Sequence, residues 1–492
     1  MNGLFDLSNS SGANESERLL IKLCNSSFLS LWAHPNTFTS EGKREGQSSG
    51  KEFTDVLVVF GEDVILFSDK HINYDETIDP QISWRRWHKR AVVKSANQLK
   101  GAKSWIQRFP DEIYLDAACT RRLPVEIPKK DSIRFHLIAT TRGTSKACVN
   151  KFGSRSGTLL INSSLDLEDS SLDFQIGVQR ETDKFVHVFD EDALDFAMKC
   201  LTTAPDFIEY LNARKELLCK APSIICEGEE TLLATFLSQD RVFDSDRWVA
   251  PTTEPQLIHL GGEIADDYFN SKEYASKIEA DQESYLWDQM IEDFIKIGNP
   301  SYGKYEPIPN ESIEYALRTM ASENRLRRRM LTQAFKGLMQ TAKSKPFQAV
   351  SRVAKMEDQP RKAYVFSAFP RHPAWSQDEY RERRRNYMTA YTSTVQVRFP
   401  DALQILALGV DHPIRDYDEH SEDLIVVETE PLTEQMLGEL QKRADDFGFH
   451  RKESEMQYSS VKEYPAAEPT PTSKSRQQRR ADERAALKKR RL

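Results

Sequence analysis

The sequence predicts an α/β N-terminal domain, followed by a mostly helical region and a small α+β C-terminal domain. Three observations predict it. Two short apolar runs, VLVVF and VILFS, flank Gly61-Glu62-Asp63 and lie between stretches with apolar residues at helical spacing. Residues 220–345 have a mostly helical pattern. Residues 361–450 alternate strand-like and helix-like segments.

In chain order, ESERLLIKLCNSSFLSLWA (15–33) has helical periodicity. The segment 34–53 is rich in Gly, Ser and charge and reads as a mobile loop. The two apolar runs form a hairpin across Gly61-Glu62-Asp63, and a long helix follows from about Trp84 to Gln107. IRFHLIAT, GTLLIN, FQIGV and KFVHVFD read as strands, and EDALDFAMKCLTTAPDFIEYLNARKELL as a second helical stretch closing near Cys219. The first domain is therefore 1–220 and the helical middle 221–345, with a connector from Pro346 to Pro360. In 361–450, AYVFSAF, TVQVRF, ILALGV and DLIVVE read as strands, and Tyr380–Tyr391 and Glu434–Phe447 as helices. Residues 453–492 are dominated by Pro, Ser, Glu and charge and read as a disordered basic tail. No internal repeat at a fixed period stands out.

Composition narrows the class. The 492 residues are 39% hydrophobic and 29% charged, polar for a globular chain but with 25 Phe, 16 Tyr and 7 Trp to build cores. No apolar run is long enough for a bilayer span and the N-terminus lacks a signal-peptide pattern, so the expectation is a cytoplasmic protein without membrane contact. The six cysteines are scattered, none in a CxxC pair, which argues against structural zinc and for reduced thiols. The net charge is −8, yet Lys474–Leu492 hold nine basic and two acidic residues, a local excess of +7 that leaves about −15 elsewhere. Any phosphate-binding surface must therefore be a local concentration of cations. Walker-type GxxxxGK[ST], GxGxxG and GxSxG motifs are absent, which excludes the usual NTP motor, dinucleotide site and serine-hydrolase elbow.

The chemistry-bearing segment is GKEFTDVLVVFGEDVILFSDK, residues 50–70. A hairpin sets the start of its first strand beside the end of its second, so Asp55 and Lys70 come together without any long-range assumption. Strand alternation turns Ser68 and Lys70 to one side and Asp69 to the other. A carboxylate that holds a divalent cation, beside a lysine that meets developing charge, suits phosphodiester hydrolysis. Oxygen ligands favour Mg²⁺ or Mn²⁺ over zinc, with Asp55 and Glu52 as the metal candidates.

Helix, Asp-bearing strand, hairpin, strand ending in x-x-Lys, then helix: over residues 15–110 this order resembles the PD-(D/E)XK nuclease superfamily, and especially its Mrr-like restriction branch. The resemblance implies a restriction-endonuclease-like fold and a metal-dependent endonuclease of restriction or phage-defence type. It gives Asp55 the metal and Lys70 the closing lysine's role. It also points to Glu17 on the preceding helix and to Gln98, in SANQLKGA, as a supporting residue. The sequence departs from the signature at Ser68, where the second acid belongs, and Glu52 could supply a carboxylate in its place.

The Trp84–Gln107 helix has no acid between Ser83 and Gln107 but carries Arg85, Arg86, Lys89, Arg90 and Lys94, a phosphate-contacting surface beside the candidate site. Gln98 shares a helical face with Ala91, Ser95 and Ala102, so packing is an alternative to a catalytic role. Glu17 also suits a helix first turn for electrostatic reasons alone, and His34 reads as loop packing. The arginine clusters at 325–329 and 381–385 are flanked by acids and read as solvated faces with local ion pairs. The expected partner is nucleic acid, DNA before RNA, with a protein partner or a homo-oligomer as further options. Two classes stay open: a metal-dependent nuclease, and a non-catalytic nucleic-acid-binding or scaffold subunit with a degenerate nuclease fold. A regulatory protein whose middle region binds a partner is a third.

Overall fold

The computed structural model describes residues 15–465 apart from 154–156, 222, 244–256, 298–308, 414–420 and 451–460, together with Phe5, Leu7 and Gly12. Three sheets organise the described residues.

The first sheet holds the hairpin. Helix α1 (Glu15–Trp32) leads into β1 (Ala33–Thr39), then a short α2 (Glu41–Arg44), β2 (Lys51–Phe60) and β3 (Asp63–His71). Gly61 turns the hairpin at φ +60°, a left-handed conformation that glycine takes at no steric cost. Next come α3 (Pro80–His88), a π-helical turn (Lys89–Val93), α4 (Lys94–Arg108), β4 (Ile113–Tyr114) and β5 (Arg134–Arg142). They are followed by α5 (Ser145–Phe152), β6 (Leu160–Asn162), β7 (Gln175–Ile176), β8 (Val186–Asp190), α6 (Glu191–Cys200) and α7 (Ala204–Lys220). The sheet order is β4-β1-β2-β3-β5-β8, antiparallel as far as β3 and parallel from β3 to β8.

Helices cover both faces. Phe28 of α1 meets Phe67, 6.4 Å between ring centres, so α1 lies on the face of Val56 and Phe67. Lys103 of α4 lies 5.6 Å from the ring of Phe135, whose strand partner is Val64, so α4 lies on the other face. That second face carries Leu57 and Leu66 and, by alternation, Asp55, Ser68 and Lys70.

A second sheet, β10-β9-β6-β7, adds β9 (Ser223–Cys226) and β10 (Leu257–Leu260) around α8 (Glu229–Ser238). Helices α9 (Glu263–Phe269), α10 (Lys272–Asp281), α11 (Tyr285–Ile297), α12 (Asn310–Ala321) and α13 (Arg325–Ser344) follow. The third sheet is β11 (Val350–Lys355), β12 (Lys362–Phe369), β13 (Gln404–Asp411) and β14 (Asp423–Glu428), in that order. Helix α14 (Gln377–Thr392) crosses between the parallel pair β12–β13, and α15 (Glu434–Phe447) follows the sheet. One apolar cluster runs without interruption from Leu20 and Phe67 to Trp287, Leu331, Phe366 and Leu408.

The α/β character and the hairpin agree with the sequence reading, and several elements correct it. The segment 34–53 is not all loop, because β1 pairs with β2 through buried His34, Thr37 and Thr39 in place of aliphatic residues. The middle region contains β9 and β10, and the connector before Pro360 contains β11, paired with β12. TVQVRF is no strand: the amides of Ser393 and Thr394 bond back to the end of α14, and Val395–Val397 form a 3₁₀ turn in which the Val397 amide bonds to the carbonyl of Thr394. The long basic helix starts earlier than expected, at Pro80, where the Asp79 carboxylate caps the amides of Gln81 and Ile82.

The arginine clusters are also corrected. Arg325, Arg328, Arg329 and Arg384 are buried, not solvated. Asp288 pairs with Arg325 and Arg328, Asp281 with Arg329, and Asp411 and Asp423 with Arg384. Buried cations need such partners, and these come from remote elements that local spacing cannot reveal. Most of the tail lies outside the described residues, but 461–465 pack on the body. Glu463 pairs with Arg241 at 2.9 Å, Arg329 donates to the carbonyl of Lys462, and the Tyr464 and Tyr268 hydroxyls are 2.5 Å apart.

Candidate functional site

The hairpin register places the site. Val56 faces Phe67, so the start of β2 lies beside the end of β3. The Asp55 carboxylate bridges the two strands: Oδ2 accepts a hydrogen bond from the main-chain NH of Asp69 at 2.6 Å. Burial pushes the Asp55 carboxyl up to about 6, against that hydrogen bond and the nearby charge of Lys70, while Asp69 and Glu52 push it further up. Asp55, Lys70 and Glu52 therefore share one electrostatic neighbourhood. Residues three apart on a regular strand would face opposite ways. Between Thr37/Thr54 and Phe38/Glu52, however, the pairing of β1 and β2 skips Phe53, and this bulge resets the alternation before Glu52.

The other candidates fall as follows. Ser68 is buried and its hydroxyl has no protein partner. Gln98 is exposed, because the packed face of α4 centres on Ser95, Leu99, Ala102 and Ile106 and Gln98 stands a quarter-turn aside. It is therefore not a packed residue of that face. Glu17 is half-buried on α1, and its neighbour Ser16 is the residue whose side chain bonds to Asp69 of β3. His34 lies inside β1 rather than in a loop, fully buried, and desolvation pushes its imidazole down to about 3. It is neutral at any ordinary pH.

One residue was missed, Arg142, and with it the partner that Asp69 takes. Asp69 turns its carboxylate to the α1 face, where Oδ1 takes Nε of Arg142 at 3.0 Å and Oδ2 takes the hydroxyl of Ser16. Arg142 ends β5, which pairs in parallel with β3, and His71 is its partner in register. Nothing local in the sequence links positions 69 and 142. The alternation about Ser68 and Lys70 did point Asp69 to the face it takes.

Among the described residues, no group of three or more His, Cys, Asp or Glu side chains is placed to hold a metal ion. Asp55 keeps Oδ1 apart from its bond to Asp69, and Glu52 is exposed. One or two carboxylates fit the habit of Mg²⁺, which keeps several waters and completes its shell with substrate phosphate.

The basic helix adjoins this edge. Nε1 of Trp87 donates to the carbonyls of Ile72 and Arg142 at 2.9 and 3.1 Å, pinning the helix to the carboxyl ends of β3 and β5. Trp84 stacks on Trp87, 5.2 Å between ring centres, so the aromatic side faces inward. Arg85, Arg86, Lys89, Arg90 and Lys94 are all exposed, and among the described residues none takes part in an ion pair. The π turn Lys89–Val93 interrupts this helix at the middle of the basic stripe. Among the described residues no helix is long and apolar enough to cross a membrane.

Comparison with protein-family models, with curated proteins and with solved structures gave no match.

Proposed function

We propose that the chain is a metal-dependent nuclease that cuts phosphodiester bonds at the Asp55–Lys70 edge of the first sheet. The observation that carries this reading is the meeting of Asp55, Lys70 and Glu52 at one strand edge, beside a helix with five exposed, unpaired cations. The run from the Asp-bearing β2 through the hairpin to the Lys-bearing β3 and on to α3 supports it as well, although β1 and α2 separate it from α1.

Asp55 and Glu52 would hold Mg²⁺ or Mn²⁺, which when bound polarises a phosphate and lowers the pKa of a water. The chain's own residues do the rest. The Asp69 amide fixes one oxygen of Asp55, and the other takes no part in that bond. Lys70 is positioned to neutralise charge that develops on the phosphate oxygens. The cations of α3 and α4 grip the backbone without reading bases, so affinity should fall steeply with salt.

A second reading has its own observation. Both oxygens of Asp69 are taken by Arg142 and Ser16, and Ser68 is buried, which leaves few free carboxylates. This favours a nucleic-acid-binding subunit that has lost catalysis. The deciding experiment is cleavage of plasmid, single-stranded DNA and RNA with Mg²⁺ or Mn²⁺ by wild type, Asp55→Ala and Lys70→Ala. Metal-dependent cutting that both substitutions abolish supports the nuclease. Salt-sensitive binding without cutting supports the binding subunit.

A further inference from the structure

The edge where β3 and β5 end carries a second kind of surface. Beyond β3, Tyr74 packs on Phe174 with ring centres 5.2 Å apart, and Trp84 of the basic helix packs on the same ring at 5.3 Å. Phe152, the last residue of α5, meets Phe174 edge-on at 6.2 Å and is itself 42% exposed. Lys151 lies 5.9 Å from the Phe152 ring and pairs with Asp173 at 2.9 Å. Next to Asp173 is Leu172, 44% exposed. Ile82, 48% exposed, opens the outer face of α3, three and four residues before Arg85 and Arg86.

Large apolar side chains in water are ordinary when scattered, but here Phe152 packs on the Phe174 ring that Trp84 of the basic helix also touches, and Leu172 lies two residues before Phe174. A duplex offers a protein its backbone and groove edges and hides the flat faces of its bases. Cations alone would serve it. A strand with unpaired bases offers both phosphates and π-faces, and proteins that hold such strands set aromatic or apolar side chains beside a basic track.

We infer that the apolar ledge of Phe152 and Leu172 is a base-stacking site, and that the nucleic acid held by the basic helix is single-stranded in the segment crossing it. This rests on the reading of α3 and α4 as the phosphate contact and names the substrate class for it. The strand's phosphates lie along Arg85, Arg86, Lys89 and Arg90. Its bases turn toward the ledge, where Phe152 gives a ring to stack on and Lys151 a cation beside that ring.

The test is fluorescence anisotropy with a single-stranded oligonucleotide and its duplex of equal length, at one fixed salt concentration, using the full chain. A 2-aminopurine base in the single strand reports stacking. The expected result is single-strand binding about tenfold tighter than duplex binding, with 2-aminopurine quenching on binding. Phe152→Ala and Leu172→Ser should remove the preference and the quenching while leaving duplex affinity unchanged. Both positions are exposed, so the fold should tolerate them. Equal affinity for the two forms, or a preference that survives both substitutions, overturns the inference and leaves the phosphate contact standing. No binding of either form overturns the phosphate contact as well.

Discussion

Asp55 accepts a 2.6 Å hydrogen bond from the main-chain NH of Asp69, while the side chain of Asp69 leaves by the opposite face to meet Arg142. One residue thus serves the site through its backbone and ties the site to β5 through its carboxylate.

The first prediction concerns pH. The Asp55 carboxyl is held at about 6, above its ordinary 3.8, chiefly by burial. Below the ordinary value the folded and unfolded chains are both protonated and nothing is lost. Between that value and about 6 the folded state holds the extra proton, so stability falls as pH rises, and above about 6 the full cost of roughly 3 kcal/mol applies. Asp55→Asn should therefore raise the urea midpoint at pH 8 and leave it nearly unchanged at pH 4. A lower midpoint at pH 8 would contradict this account.

Removing Arg142 strands the Asp69 carboxylate, whose side chain is only 2% exposed. Arg142→Met should cost about 3–5 kcal/mol, and adding Asp69→Asn should restore much of it. A double-mutant cycle in chemical denaturation measures the coupling, and additive losses would mean that the pair contributes little.

Replacing Arg85, Arg86, Lys89 and Arg90 by Ala should weaken binding to all sequences alike. It should also flatten the dependence of affinity on salt, by up to about 0.9 in logarithmic slope for each duplex phosphate left without its cation. Because the four are exposed and unpaired, each should change stability by no more than about 0.5 kcal/mol. An unchanged salt slope would place the phosphate-binding surface elsewhere.

The segment 461–465 makes a truncation test. Cutting after residue 460 removes Glu463 from Arg241, the Lys462 carbonyl from Arg329 and Tyr464 from Tyr268. That should cost about 2 kcal/mol or more, since the buried cations lose partners. Cutting after residue 465 keeps these contacts and serves as the comparison. Thermal melts of the two truncations should differ, and equal melts would show that the packed segment adds no stability.

What the sequence revealed follows from the range of the forces involved. The hairpin was legible because alternation, apolar runs and Gly61 all act within a dozen residues, and so was the meeting of Asp55 with Lys70. Strand β1 was hidden because AHPNTFT buries polar residues and contains Pro35, so no apolar rhythm announces it. TVQVRF misled in the opposite way, since its alternating residues close a 3₁₀ turn on their own carbonyls, with Val397 bonding Thr394 and Arg398 bonding Val395. Gln98 was placed by its spacing from Ala91, Ser95 and Ala102, which does not show where the packed face is centred. The buried arginines looked like a solvated cluster because Asp206, Asp281 and Asp288, which surround them, lie far away in sequence.

The parallel pairing of β3 with β5 also sets a timetable. Ser16, Asp55 and Asp69 emerge early from the ribosome, but Arg142 follows only after another 73 residues, and a parallel pair must wait for its crossover to be made. Until then Asp69 has no guanidinium and the basic helix has no Arg142 carbonyl for Trp87. A chain interrupted during synthesis before residue 134 would carry the acids and the lysine without the frame that aligns them. If the site cuts nucleic acid, the cell making it is spared a half-built blade.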